Sequence, residues 1–189
     1  MSKPFKKGFY QLKPGPISVV HPGAIMSLCN IASYTPDGCF VEVGVFRGGT
    51  AYQLNEVARE QNRPLYLYDT FEGIPYSEPE KGDGHPVGDF NDTSLEIVTQ
   101  AIPDAIITKG VFPDSMIEMP PIAFVHVDCD QYRSITETVQ ALGPMMVKGG
   151  VMVFDDYGLL DGATKAINEL YDEDQIFLTD FGKGAVIYT

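Results

Sequence analysis

The sequence predicts an α/β fold: an open sheet of mostly parallel strands, helices on both of its faces, and an antiparallel closing pair. Three observations carry this. The apolar run Phe40–Val45 breaks into Arg47-Gly48-Gly49-Thr50, and the helical run AYQLNEVARE follows at once, the order of a buried strand, a glycine turn and a helix start. Two later apolar runs, Ile122–Val127 and Val151–Phe154, each end in acids, Asp128-Cys129-Asp130 and Asp155-Asp156. The chain then finishes in two β-rich stretches, Gln175–Thr179 and Ala185–Tyr188, around Asp180-Phe181-Gly182-Lys183-Gly184, which reads as a hairpin.

At 189 residues the chain is expected to form one domain, residues 1–37 making an arm and a helix and residues 38–189 the core. A hydrophobic share of 44% suits a globular protein. No apolar run approaches the roughly 20 residues of a membrane span. The basic start MSKPFKKGFYQLKPGP lacks the apolar centre of a signal peptide, so a cytoplasmic location is expected. Thirteen basic residues stand against twenty-six acidic ones, a net charge of −13 that argues against a nucleic-acid ligand, since such binding rests on Lys and Arg. Cys29, Cys39 and Cys129 follow no metal or redox spacing and read as reduced, mostly buried thiols.

The remaining elements follow in order. Residues 1 to about 20 read as an extended arm, basic at Lys3, Lys6, Lys7 and Lys13, ordered against a partner or over a site. Pro22–Tyr34 has helical spacing with proline at its first turn. Leu65–Tyr68 is a short strand ending in Asp69. Thr70–Asn91, dense in Gly, Pro and charge, is too long for a simple connection and is expected to act as a lid carrying His85. Asp92, Thr93 and Ser94 offer caps for a helix through Ala101, and Ala105–Thr108 makes another strand. Helices are expected over Ser134–Leu142 and Asp161–Tyr171, with Gly149-Gly150 as the turn into the strand Val151–Phe154.

Spacing narrows the ligand of the first turn. A dinucleotide fingerprint would need glycine at Phe46, and a P-loop would need lysine where Thr50 stands. What remains is E-x-G-x-x-x-G-G from Glu42 to Gly49, an arrangement suited to a ligand with an amino acid and a ribose, such as S-adenosylmethionine, or else an ordinary tight turn. Asp69 stands where an acid on the second strand meets ribose hydroxyls. The acid pairs after the two later strands reach the same edge, and carboxylates so crowded call for a cation. Oxygen ligands alone select Mg²⁺, Mn²⁺ or Ca²⁺ over zinc. The plainer alternative has Asp130 or Asp156 capping the next helix.

The segments FVEVGVFRGGT, LYLYDTFEGIP, KGVFPDS, FVHVDCDQYRS and GGVMVFDDYG, in this order and spacing, resemble the macrocin O-methyltransferase family over residues 38–189. The resemblance implies a seven-stranded sheet of the class I methyltransferase (Rossmann-like) type with its last strand antiparallel, S-adenosylmethionine and Mg²⁺ as cofactors, and O-methylation of a sugar-like small molecule. It implies that Glu42, Gly44, Val45, Phe46, Arg47, Gly48 and Gly49 cradle the methionine end, with Asp128 close by. Asp69, Thr70 and Phe71 would lie at the ribose, and Gly110 to Phe112 at the adenine. Asp128, Asp155 and Asp156 would be the metal ligands. More distant catechol-type enzymes use a lysine base after the first metal acid. Gln131 and Arg133 stand there instead, leaving Asp128 and His85 as the candidate bases. His126 reads as a core histidine, and His21 has no assigned role. A nucleotide-binding oxidoreductase and a non-catalytic subunit of the same fold are the competing classes. Expected partners are a small-molecule hydroxyl acceptor and, as an open alternative, a second copy of the chain, with neither nucleic acid nor membrane.

Overall fold

The computed structural model describes residues 10–189. Its strands are β1 (Cys39–Val43), β2 (Leu65–Asp69), β3 (Ile106–Lys109), β4 (Ile122–Val127), β5 (Met146–Phe154), β6 (Ile176–Leu178) and β7 (Gly184–Ile187). They form one sheet in the order β3-β2-β1-β4-β5-β7-β6. β1 to β5 pair in parallel, and β7 runs antiparallel to both β5 and β6. The helices are α1 (Pro22–Tyr34), α2 (Gly49–Gln61), α3 (Leu95–Ala101), α4 (Tyr132–Leu142) and α5 (Asp161–Leu170). No described helix is long and apolar enough to cross a membrane.

β1 and β4 are buried along their whole length because helices cover both faces of the sheet. Phe40, Phe124 and Val153 point to one face, where Leu28 of α1, Leu54 of α2 and Val98 of α3 meet them. Val41, Val125 and Met152, each adjacent to one of these in its strand, point to the other face and pack on Ile135 and Val139 of α4 and Ile167 of α5. This alternation is the period of two that a strand imposes.

One local expectation changes. Gly149 and Gly150 lie inside β5, which starts at Met146, and they bend the strand rather than precede it. Gly149 has φ 80°, and a side chain at Gly150 would meet the carbonyls of Val147 and Ala123 at 2.9 and 3.1 Å. The pairing of β4 with β5 shifts register at the same level. The loop over residues 70–91 is docked rather than detached. Its Asp83 accepts the Tyr132 N–H at 2.8 Å, its Gly82 carbonyl accepts from Gly162 N at 3.0 Å, and its Tyr76 hydroxyl donates to Glu137 at 2.9 Å.

The arm crosses α2 towards the C-terminal ends of the strands. The Gln53 side chain accepts from Lys13 N and donates to Lys13 O at 2.9 and 2.8 Å, Tyr10 Oη reaches Gln53 Oε1 at 2.9 Å, and Ser18 and Thr50 share a hydroxyl contact at 2.9 Å. Gly49 is needed beneath it, since a Cβ there would lie 2.4 Å from Ser18 Cα. Of the four basic residues expected on the arm, Lys3, Lys6 and Lys7 lie outside the described residues.

At the end of β1 the backbone leaves even less room. A Cβ on Gly44, at φ 89°, would sit 1.7 Å from the Asp128 carbonyl oxygen, whereas Gly88 has the same φ and nothing within 4 Å. Gly88→Ala should therefore cost only backbone strain, about 1 kcal/mol, and Gly44→Ala about 2–4 kcal/mol through strain and overpacking together. Urea unfolding of the two variants beside the parent measures the difference; equal midpoints would mean that β1 and β4 do not approach this closely.

Candidate active site

The sheet reverses its strand order between β1 and β4, and the crevice beyond the carboxyl ends of such strands is where an open α/β sheet holds ligand. A cleft of about 790 Å³, its mouth included, opens there. Gly44, Phe46, Asp69, Thr70, Gly110, Phe112 and Asp128 line it, as the sequence suggests. Val19 of the arm, Ile74 and Phe90 of the long loop, and Cys129, Asp130, Ser134 and Thr138 line it too. Ser134 and Thr138 are four apart and so share one face of α4, a spacing visible in the sequence but without a chemical mark. Val19 carries no signal at all.

Asp69 organises the glycine turn. Its Oδ2 accepts the N–H groups of Val45 and Phe46 at 2.7 and 2.8 Å, and its Oδ1 accepts that of Phe71 at 2.6 Å. Those bonds hold Phe46 and Phe71 in left-handed conformations at φ 50° and 53°, which bulky residues seldom adopt. Gly48, at φ 79°, opens α2. Val45, Gly48, Gly49 and Phe71 thus shape the wall from behind. Arg47 turns outward to an ion pair with Asp92.

Glu42 is also behind the wall, 1% exposed. The β1–β4 register sets it opposite His126, whose Nδ1 lies 2.7 Å from Glu42 Oε1, while Nε2 lies 3.5 Å from Asp155 Oδ1. Lys183, from the β6–β7 turn, reaches Asp155 Oδ2 at 2.6 Å. Burial opposes the charged imidazole, yet Asp155 and Glu42 together hold His126 well above the usual histidine range. His126 is therefore a core histidine, as its sequence context implies, set between the carboxylates of Glu42 and Asp155.

The acids at the strand ends fall into two states. Burial would raise Asp155, but His126 and Lys183 bring it below the usual carboxylate range. Burial and the neighbouring carboxylates push Asp128 far up, Asp130 to about 6 and Asp156 to about 7. Ligand atoms of Asp128, Asp130 and Asp156 all lie within 4.8 Å of one another, and those of His126, Asp128 and Asp155 form a second such group. Asp156 Oδ2 is buried without a hydrogen-bond partner. Crowded carboxylates with an orphaned oxygen fit a hard divalent cation. The helix-cap alternative fails: Gln131 and Leu160 occupy the N-cap positions of α4 and α5, so neither Asp130 nor Asp156 stands there. Asp130 and Lys183 are the additions to the expected set.

His85 is not brought to the cleft wall. Its Nδ1 lies 3.1 Å from Asp89 and its ring stands edge-on to Phe90 at 5.0 Å, with Phe90 in turn 5.6 Å from Phe46. It supports an aromatic rim.

The profile of the macrocin-O-methyltransferase (TylF) family matches residues 27–181. A relative in Streptomyces olivaceus, an 8-demethyl-8-(2,3-dimethoxy-α-L-rhamnosyl)-tetracenomycin-C 4′-O-methyltransferase, is 28% identical over 154 residues, 70% of this chain and 57% of the relative. The demethyldecarbamoylnovobiocin O-methyltransferase of Streptomyces niveus is 27% identical over 150 residues, with the same two shares. The chain thus spans 57% of the length of these curated relatives. Among solved structures, the O-methyltransferase NovP superposes with a TM-score of 0.72 at 22% identity over 88% of this chain and 78% of that one. The calicheamicin methyltransferase CalS11 gives 0.71 at 16% over 87% and 77%. These likenesses establish the seven-stranded class I fold.

Asp69→Ala removes the acceptor of three backbone N–H groups at once. It should lower stability by about 2–3 kcal/mol, the scale of hydrogen bonds to a charged group, and abolish tight binding of S-adenosylmethionine. Denaturant unfolding together with calorimetric titration of the cofactor checks both, and unchanged cofactor affinity would remove Asp69 from the site.

Proposed function

Since the chain belongs to the macrocin-O-methyltransferase family, we propose that it methylates a hydroxyl of a sugar or glycosylated small molecule, using S-adenosylmethionine and a divalent cation of the Mg²⁺ type. The observation that carries this reading is the meeting of the Asp69-braced turn with Asp128 and Asp130 in one cleft, Asp156 standing within 4.8 Å of both. The sugar assignment draws on the relatives, one named for a rhamnosyl substrate, and on CalS11, described in its unliganded form as a TDP-rhamnose 3′-O-methyltransferase. The family match leaves the redox alternative without support.

When bound, the cofactor supplies an activated methyl group and the cation a charge that makes a coordinated hydroxyl more acidic. The chain does the rest. Gly44 and Phe46 shape the pocket for the methionine end, with Glu42, Val45, Arg47, Gly48 and Gly49 supporting the turn. Asp69 and Thr70, with Phe71 behind, would hold the ribose, and Gly110 and Phe112, which also line the cleft, would hold the adenine. Asp128, Asp155 and Asp156 would hold the cation, with Asp130 beside them. Tyr68, Ile74 and Phe112 make an apolar wall that keeps water from the sulfonium. Holding acceptor and methyl in line provides much of the rate. Asp128 lines the cleft and takes the hydroxyl proton on its carboxylate. His85 acts through Phe90 and the rim rather than on the proton.

The test is methyl transfer to rhamnosylated aglycones and to nucleotide-linked deoxysugars, followed by mass spectrometry. Product should form with Mg²⁺ or Mn²⁺, vanish in excess chelator and return on adding metal, while cofactor binding survives the chelator. His85→Ala should slow turnover less than about tenfold, against the 10²–10⁴-fold of a lost general base, and should keep the parent pH–rate profile. A base-sized loss with an altered profile would transfer the proton to His85. Full turnover in chelator would eliminate the cation.

A further inference from the structure

The two turns that carry the acids of the cleft run on into helices, Asp128–Asp130 into α4 and Asp155–Asp156 into α5. Neither helix is capped by the side chain at its own N-cap position, Gln131 in α4 and Leu160 in α5. The first N–H groups of a helix have no partner within it, so each start needs one from outside. For both helices the long loop supplies it, through Gly82 and Asp83. Asp83 Oδ1 accepts the N–H of Tyr132, the first residue of α4, at 2.8 Å across a separation of 49 residues. The Gly82 carbonyl accepts the N–H of Gly162, the second residue of α5, at 3.0 Å. Asp83 Oδ2 closes the loop on itself by accepting Glu78 N at 2.8 Å. Both glycines are needed for so close a fit. A Cβ on Gly162 would stand 2.4 Å from Asp83 Oδ1, and one on Gly82, at φ 98°, 2.9 Å from Asp161 Cβ. The buried Gln131 adds a further tie, its Nε2 donating to the His85 carbonyl at 3.3 Å.

We propose that Asp83 is a positioning residue for the acid cluster: by capping α4 from the loop and seating the loop on α5, it fixes the two acid-bearing turns relative to each other. The inference rests on the reading of Asp128, Asp155 and Asp156 as a cation site. Each turn is a short extension of its helix. The Asp156 carbonyl accepts Leu159 N and Leu160 N at 3.0 and 3.1 Å, and the Cys129 carbonyl accepts Gln131 N at 2.6 Å. A shift at either helix start therefore moves the acids that precede it. Ligands that converge on one ion tolerate little movement, and groups that orient them from behind weigh heavily on affinity. Asp83 is also near enough to Asp130 to add to the repulsion on it. Charge and position can be told apart. A side chain acting only by its charge is lost equally in Asn and in Ala. One acting by position survives in Asn, whose amide oxygen caps a helix as a carboxylate does.

Calorimetric titration of Mn²⁺ into the full chain, without acceptor, compares the parent with Asp83→Asn and Asp83→Ala. Hydrogen exchange read by mass spectrometry follows the same three proteins without metal. Asp83→Ala should bind the ion at least about tenfold more weakly, and Asp83→Asn within about threefold of the parent. Amides at the starts of α4 and α5 should exchange at least about tenfold faster in Asp83→Ala and at the parent rate in Asp83→Asn. Equal losses of affinity in the two variants overturn the inference in favour of a charge effect. Faster exchange confined to residues 70–91 overturns it too, leaving Asp83 an anchor of the loop alone. A parent that does not bind Mn²⁺ overturns the cation site, and this inference with it. Should Asp83→Ala not fold, Gly162→Ala displaces the same carboxylate from the α5 side and is expected to lose the same tenfold, about, in affinity. Parent-like binding by that variant ends the proposal.

Discussion

Mutual repulsion among the carboxylates at the ends of β4 and β5 is the constraint around which the site is arranged. Four acids meet where two buried parallel strands release the chain, and burial makes each charge expensive. The fold answers for one of them only. Asp155 has Lys183 on one oxygen and His126 near the other, and His126 is itself held by Glu42 from the neighbouring strand. Asp128, Asp130 and Asp156 are left facing one another.

The glycine-turn side of the cleft is built on a different principle. Here the backbone is the material, and one carboxylate with three N–H donors fixes it. Gly44 has to be glycine because the Asp128 carbonyl occupies the space a side chain would take, and that same contact brings the turn against the acids. The two halves of the chemistry are therefore set side by side by a backbone approach between β1 and β4. The arm, the docked loop and the Phe46–Phe90–His85 rim then enclose the mouth, the arm tied to α2 and the loop to α4.

What the sequence determined by itself was local or periodic. The buried strands were visible as unbroken apolar runs, the first turn as glycines at fixed offsets, and the strand-end acids as doublets, because each signal lies within a few residues of chain. The closing hairpin and the parallel sheet followed from the order of those elements. What only the tertiary structure decided concerns pairs far apart in sequence. That Asp155 is neutralised and Asp130 is not depends on Lys183, brought across by the β5–β7 pairing. That His126 is held above the usual histidine range depends on Asp155 and on Glu42, the latter set opposite it by the β1–β4 register. That His85 stands at the rim depends on how residues 70–91 dock on α4 and α5. A carboxylate or an imidazole has the same symbol in a sequence whether it is paired or alone, and its chemistry is set by the charge that packing places beside it.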